Sequence, residues 1–112
     1  MRWFGELCIP EADAEHVRRW ATEILLRAGP EAADRLWEAR GTDLQHTSRL
    51  REIQVPTLVI RGSEDRLTPA PTVEYIASHI AGSRLVTIPG AGHVPSMTRP
   101  QEVANAIIQF FE

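Results

Sequence analysis

The apolar positions in the first half of the chain recur at helical spacing. Acidic residues lie at the start of this pattern, after Pro10, where negative charge is favoured by the helix dipole. Gly29-Pro30 interrupts the pattern and predicts a break, followed by a second short helix from Pro30 to about Arg40. A third helical stretch is predicted over Asp43–Arg51. The acidic residues are Glu11, Asp13 and Glu15, and the apolar face of the first helix comprises Val17, Ala21, Ile24, Leu25 and Ala28.

The pattern changes after residue 52. The run 55–60 is apolar and β-branched without alternation, which predicts a strand buried on both faces, as in a parallel sheet. Thr98 and Gln101 have the spacing of a capping box at the start of the last helix. A strand–helix–strand order predicts parallel strands joined by a right-handed crossover. The predicted elements are a strand over 55–60, a helix over 71–80, a strand over 85–88 and a helix over 99–111.

The chain divides into a helical segment, residues 1–52, and an α/β segment, residues 53–112. Its 112 residues are 43% hydrophobic and 24% charged, which is typical of a soluble domain. No apolar run approaches the roughly 20 residues of a membrane span, and the first residues lack the apolar stretch of a signal peptide. We therefore expect a cytoplasmic protein that does not associate with membranes. The net charge of −3 predicts no nucleic-acid partner.

Two residues that can perform acid–base chemistry follow the two predicted strands. Asp65 comes shortly after the first strand and His93 shortly after the second. Since the carboxyl ends of parallel strands meet at one edge of a sheet, we expect the two side chains to be neighbours. A carboxylate beside an imidazole fixes its tautomer and stabilises the imidazolium during proton transfer. The sequence therefore predicts Asp65 and His93 as a catalytic pair.

Other chemistry-bearing residues are assigned ordinary structural roles. Cys8 is the single cysteine and is interpreted as a plain small hydrophobe. The Arg18-Arg19 doublet is interpreted as a solvated helix face. We expect no metal site, because the remaining histidines lack ligand spacing. No organic cofactor is implied either. Those histidines are His16, His46 and His79, and the tryptophans Trp3, Trp20 and Trp37 are interpreted as helix packing, with the lining of an acyl pocket as the alternative.

Three motifs resemble the C-terminal part of α/β-hydrolase-fold enzymes, particularly ester and enol-lactone hydrolases. The run 53–65 is similar to their strand and acid loop, 88–95 to their histidine loop, and 99–111 to their closing helix. Residues 1–52 resemble, more weakly, the helical cap that precedes this part. The resemblance implies a partial α/β-hydrolase fold with about two strands, the acid role for Asp65 and the general-base role for His93.

The 112 residues contain no G-x-S-x-G nucleophile motif. In this family the nucleophile precedes the acid, and the earlier candidates are Cys8 and Ser48, both in helical sequence. We therefore expect the C-terminal portion of an ester or lactone hydrolase that is inactive by itself. Two alternatives remain: a non-catalytic remnant or interaction module, and one half of a split hydrolase completed by a partner chain.

The predicted sheet also has consequences for assembly. Two strands leave unpaired backbone groups along the run 55–60, and such an edge pairs readily with another chain. We therefore expect a homo-oligomer, with two-fold symmetry favoured, unless a partner fragment covers the edge.

Overall fold

The computed structural model of the chain describes residues 2–39 and 45–112. The predicted end of the second helix at Arg40 and the predicted start of the third helical stretch at Asp43 lie outside the described residues. Within the described ranges, no helix is long and apolar enough to cross a membrane. The elements are α1 (Arg2–Cys8), α2 (Glu15–Ala39), α3 (Gln45–Ser48), β1 (Leu58–Gly62), α4 (Ala70–His79), β2 (Arg84–Ile88), α5 (Pro95–Thr98) and α6 (Pro100–Phe111), with short 3₁₀ turns at Ala12–Ala14 and Arg49–Glu52.

The first half is helical as predicted, but its main helix begins later than expected. Glu11 has an extended backbone, with φ −62° and ψ 127°, and the turn Ala12–Ala14 separates it from the start of α2. The predicted break at Gly29-Pro30 is a kink within α2, where Gly29 adopts φ 74° and ψ 161°. Glycine tolerates this positive φ without the clash that a Cβ would cause, so the helical path is interrupted here, as predicted, and a second helical stretch follows from Pro30.

The apolar face of α2 does not enter the core. Ile24 is 44% exposed and Leu25 is 38% exposed, although both belong to the face identified from the spacing. The buried apolar residues lie instead in the segment before α2, on and just after α4, on β2 and α6, and in the loop after β2. They are Ile9, Ala14, Val73, Ile80, Ile88, Ala91 and Ala106.

The sheet is parallel, as predicted, with two strands in the described residues. Leu58 pairs with Arg84 and Gly62 with Ile88, and α4 connects the strands. β1 begins three residues later than expected, because Pro56 has no N–H to donate to a ladder. The side chains of Leu58, Val59 and Ile60 are half-buried rather than buried on both faces. Two strands cannot shield each other on every side, which explains the difference.

Helices α4 and α6 pack on both strands. Val73 on α4 and Ile80 directly after it are buried. The predicted capping box is wrong: Thr98 lies within α5, and its hydroxyl donates to Glu11 Oε1 instead of capping α6. Gln101 Nε2 donates to Asn105 Oδ1, so it does not reach back to a cap position.

Candidate active site

The loops that follow β1 and β2 pack against each other at the carboxyl edge of the sheet. The Ser63 N–H donates to Ile88 O at 3.0 Å, and the Glu64 N–H donates to Ala91 O at 2.9 Å. Gly62 permits this approach, since a Cβ there would overlap the carbonyl oxygens of Ala91 and Gly92. The two loops are called the acid loop (residues 63–69) and the histidine loop (residues 89–94) below.

The structure brings Asp65 and His93 into direct contact, as their positions after the strands predicted. His93 Nδ1 lies 3.0 Å from Asp65 Oδ2 and 3.2 Å from Oδ1. An ionised carboxylate only accepts hydrogen bonds, so the imidazole carries its hydrogen on Nδ1 in this contact. The Asp65 side chain is 7% exposed and that of His93 is 38% exposed. His93 Nε2 has no hydrogen-bond partner among the described residues.

The acid loop holds the Asp65 carboxylate in place. Its Oδ1 accepts hydrogen bonds from the N–H groups of Leu67, at 2.9 Å, and Thr68, at 3.0 Å. Burial by itself raises the pKa of Asp65, but the bonds from Thr68, His93 and Leu67, together with the charge of His93, hold that pKa below its ordinary value. Asp65 is therefore ionised at neutral pH. The neighbouring Glu64 is exposed and does not contact His93.

The chain segment before α2, residues 8–13, anchors the histidine loop. The His93 N–H donates to Cys8 O at 2.8 Å. Glu11 Oε1 accepts from the Gly92 N–H at 2.6 Å and from the Thr98 hydroxyl at 2.7 Å. Glu11 does precede a helical turn, as its sequence position predicts, but its side chain does not cap that turn: the residue is 6% exposed and its carboxylate faces the histidine loop. Its partners are more than 80 positions away along the chain, so no local pattern could indicate them.

Arg18 in turn binds the backbone of residues 8–13, which are called the anchoring segment below. Its Nε donates to Ile9 O at 2.9 Å and its Nη2 to Glu11 O at 2.9 Å. The Arg18 side chain is 19% exposed, so the interpretation of the Arg18-Arg19 doublet as a solvated face is wrong for its first residue. Arg19 is exposed, as expected.

An apolar cleft of about 450 Å³ opens beside His93. Trp20 lies in its wall, which favours the pocket-lining alternative for this tryptophan over helix packing. Trp3 is 72% exposed and does not line the cleft, and the side chain of Trp37 lies outside the described residues. The exposed apolar face of α2 forms one side. Lining side chains include Phe4, Cys8, Ile9, Trp20, Ile24, Leu25, Leu67, His93, Val94 and Met97.

The earlier candidates for a nucleophile are placed differently by the structure. Cys8 lines the cleft, but burial and the negative charge of Asp65 raise the pKa of its thiol above the ordinary value. A raised pKa keeps the thiol protonated, and the protonated form is a poor nucleophile. Ser48 ends α3 and does not line the cleft. No three His, Cys, Asp or Glu side chains are grouped to hold a metal ion in residues 2–39 and 45–112.

Comparison with known proteins places these motifs in a wider context. Residues 2–106 match the family described as the alpha/beta hydrolase family. The chain is 31% identical over 97 residues to the pimeloyl-[acyl-carrier protein] methyl ester esterase of Nitrosomonas europaea, covering 83% of the chain. An esterase from Exiguobacterium antarcticum superposes with a TM-score of 0.75 at 25% identity, covering 96% of the chain and 40% of the esterase. An N-acyl homoserine lactone degrading enzyme superposes with a TM-score of 0.71 at 25% identity, covering 96% of the chain and 46% of that enzyme.

The matched relatives are considerably longer than the described chain. The alignment covers 38% of the Nitrosomonas esterase and 40% of the corresponding esterase of Xanthomonas campestris. The chain therefore spans about two fifths of the length of these curated relatives.

Proposed function

Because the chain belongs to the alpha/beta hydrolase family, we propose that it supplies the acid and the histidine of an ester or lactone hydrolase. In this proposal, residues 53–112 are the C-terminal part of the catalytic domain, and residues 1–52 are part of its cap. The observation that supports it best is the Asp65–His93 contact, with Nδ1 bound to the carboxylate at 3.0 Å and Nε2 left for proton transfer.

The roles of the two residues follow from this geometry. His93 Nε2 takes the proton of a nucleophile as that nucleophile attacks the ester carbonyl, and later returns the proton to the leaving group. Asp65 keeps the hydrogen on Nδ1 and stabilises the imidazolium that forms. The nucleophile comes from sequence outside these 112 residues, since they hold no G-x-S-x-G motif and the thiol of Cys8 is not activated.

The cleft beside His93 favours substrates with an apolar group. Its side chains, among them Phe4, Trp20 and Met97, offer dispersion contacts and burial to an aliphatic chain. The named relatives act on a pimeloyl methyl ester and on N-acyl homoserine lactones, so each substrate carries an acyl group together with an ester or a lactone. We propose such aliphatic esters and lactones as the substrate class.

A chimera tests the catalytic role directly. In the Nitrosomonas esterase, the segment that aligns with this chain is replaced by the chain's own residues, and hydrolysis of activated aliphatic esters is measured. We expect turnover that falls by about 10⁴-fold in Asp65→Asn and by about 10⁶-fold in His93→Ala. His79→Ala, which removes a half-buried histidine on α4 that does not line the cleft, is the matched control and should retain full activity.

The two alternatives give other outcomes. If the chain is a non-catalytic remnant or interaction module, the chimera should fold but show no turnover that is lost in His93→Ala. That result would refute the proposal. One half of a split hydrolase predicts that the chain, mixed with the nucleophile-bearing remainder of the relative, restores activity without covalent linkage.

The isolated chain should not hydrolyse esters, because the nucleophile and the oxyanion donors supply most of the rate enhancement. Hydrolysis of short activated esters by the purified chain is the measurement. Turnover that persists in Cys8→Ala and disappears in His93→Ala would show that these residues contain a nucleophile after all.

A further inference from the structure

We propose that Glu11 is a positioning residue for His93, holding the histidine loop in the conformation that places the imidazole on Asp65. The inference rests on the proposed catalytic role of His93, but its test requires no turnover. Neither Glu11 nor its partners touch the Asp65 carboxylate, so Glu11 acts through the backbone of the loop.

Glu11 joins three parts of the chain through one carboxylate oxygen. Oε1 accepts from the Gly92 N–H at 2.6 Å and from the Thr98 hydroxyl at 2.7 Å, and the residue is 6% exposed. Thr98 lies in α5, directly beyond the histidine loop. The carboxylate therefore fixes the loop at residue 92 and the short helix that follows it. Charge-assisted bonds of this kind are shorter and stronger than those between neutral groups.

Consecutive backbone groups of the histidine loop are held by the anchoring segment. Glu11 binds the Gly92 N–H, and Cys8 O accepts from the His93 N–H at 2.8 Å. A Cβ at residue 92 would meet Pro10 Cδ, Cys8 O and Glu11 Oε2, so the loop lies in close contact with this segment. With both N–H groups fixed, the Cα of His93 has little freedom, and the ring is directed to the carboxylate that the acid loop holds.

The other oxygen of Glu11, Oε2, takes no part in the bridge. Oε2 is buried and has no hydrogen-bond partner within the described ranges. A buried acceptor without a partner is costly, and native proteins contain few of them. The side chain of Glu11 is therefore held through Oε1, by its bonds to Gly92 and Thr98.

The test follows the His93 Nδ1–H resonance by NMR in the full chain. The Asp65→Asn protein is the reference that shows the His93 Nδ1–H resonance when its carboxylate partner is removed. We expect Glu11→Leu to lose the hydrogen-bonded Nδ1–H signal and to raise the pKa of Asp65 as much as His93→Ala does. Glu11→Gln retains an acceptor at the Oε1 position and should keep the signal. Val73→Ala destabilises the core away from the loop and should lower the melting temperature without changing either readout.

The outcomes separate positioning from general stabilisation. A Glu11→Leu protein with a lowered melting temperature but an unchanged Nδ1–H signal and Asp65 titration would overturn the inference, as would loss of the signal in Glu11→Gln. If Glu11→Leu does not fold, Thr98→Val decides. If the Nδ1 proton of His93 exchanges with solvent several-fold faster in Thr98→Val than in Val73→Ala, the inference is supported. Equal exchange rates in the two variants contradict it. An inactive chimera would count against the proposed function and leave these readouts intact.

Discussion

At the scale of single residues, the ionisation of Asp65 reports on the contact with His93. The pKa of this carboxyl is held below its ordinary value although burial opposes ionisation, because Thr68, His93 and Leu67 donate hydrogen bonds to it. We expect His93→Ala to raise the pKa of Asp65, since a hydrogen bond and a positive charge are removed while burial largely remains. Titration of the ¹³C carboxyl signal measures it. His79→Ala should leave the titration unchanged, and a pKa unaffected by His93→Ala would refute the expectation.

The same lowered pKa makes Asp65 a source of acid sensitivity. The unfolded carboxyl binds its proton at the ordinary pKa, whereas the folded one binds it only at lower pH. The stabilisation is therefore fully present above the unfolded value, about 3.9, and is lost as the pH falls through the folded value. We expect Asp65→Asn to be less stable than the wild type at pH 7 and to lose less stability between pH 5 and pH 2. Urea unfolding across that range tests it, and equal slopes would contradict it.

Gly62 has a steric role where the two loops meet. An added Cβ would overlap the carbonyl oxygens of Ala91 and Gly92, and backbone atoms cannot move aside as a flexible side chain can. We expect Gly62→Ala to destabilise the protein by about 3 kcal/mol. Gly90→Ala is the comparison: it has φ 69° but open space around it, so its cost is about 1 kcal/mol from strain alone. Chemical denaturation gives both values, and the reverse order would show that the loops yield at Gly62.

At the scale of elements, α2 is attached to the site by one of two adjacent arginines. Arg18 donates to Ile9 O and Glu11 O, whereas Arg19 is exposed. We expect Arg18→Ala to lower the free energy of unfolding by about 2 kcal/mol, since buried carbonyls lose charged donors. Arg19→Ala removes the same charge one position away and should change it by less than about 0.5 kcal/mol. Similar effects of the two substitutions would mean that Arg18 contributes only its charge.

The helical segment also shows how an apolar face can be misinterpreted at this scale. The spacing of Ile24 and Leu25 predicts a face that packs, but a pattern does not identify what lies opposite. In the structure this face borders the cleft beside His93. An amphipathic helix that lines a binding cleft and one that covers a core have the same sequence pattern, so the distinction requires tertiary structure.

At the scale of the whole molecule, the exposed apolar surface makes self-association the expected behaviour. The sheet has two strands in the described residues, and Trp20 and Val55 are 52% and 65% exposed. Apolar surface and open strand edges of this kind favour pairing with another chain. We expect a two-fold symmetric dimer at micromolar concentration by light scattering, replaced by a one-to-one complex when the remainder of a family relative is supplied. A stable monomer under both conditions would contradict this expectation.

The sequence by itself determined the order of strand, helix, strand and helix, the parallel pairing and the meeting of Asp65 with His93. These follow from local periodicity and from the rule that parallel strands present their carboxyl ends at one edge. Tertiary structure alone decided the contacts of Glu11, Arg18 and Thr98 and the cleft along α2. Glu11 and Thr98 are adjacent only because the chain folds back over more than 80 residues, and a hydrogen bond between such distant positions leaves no periodic trace in the sequence.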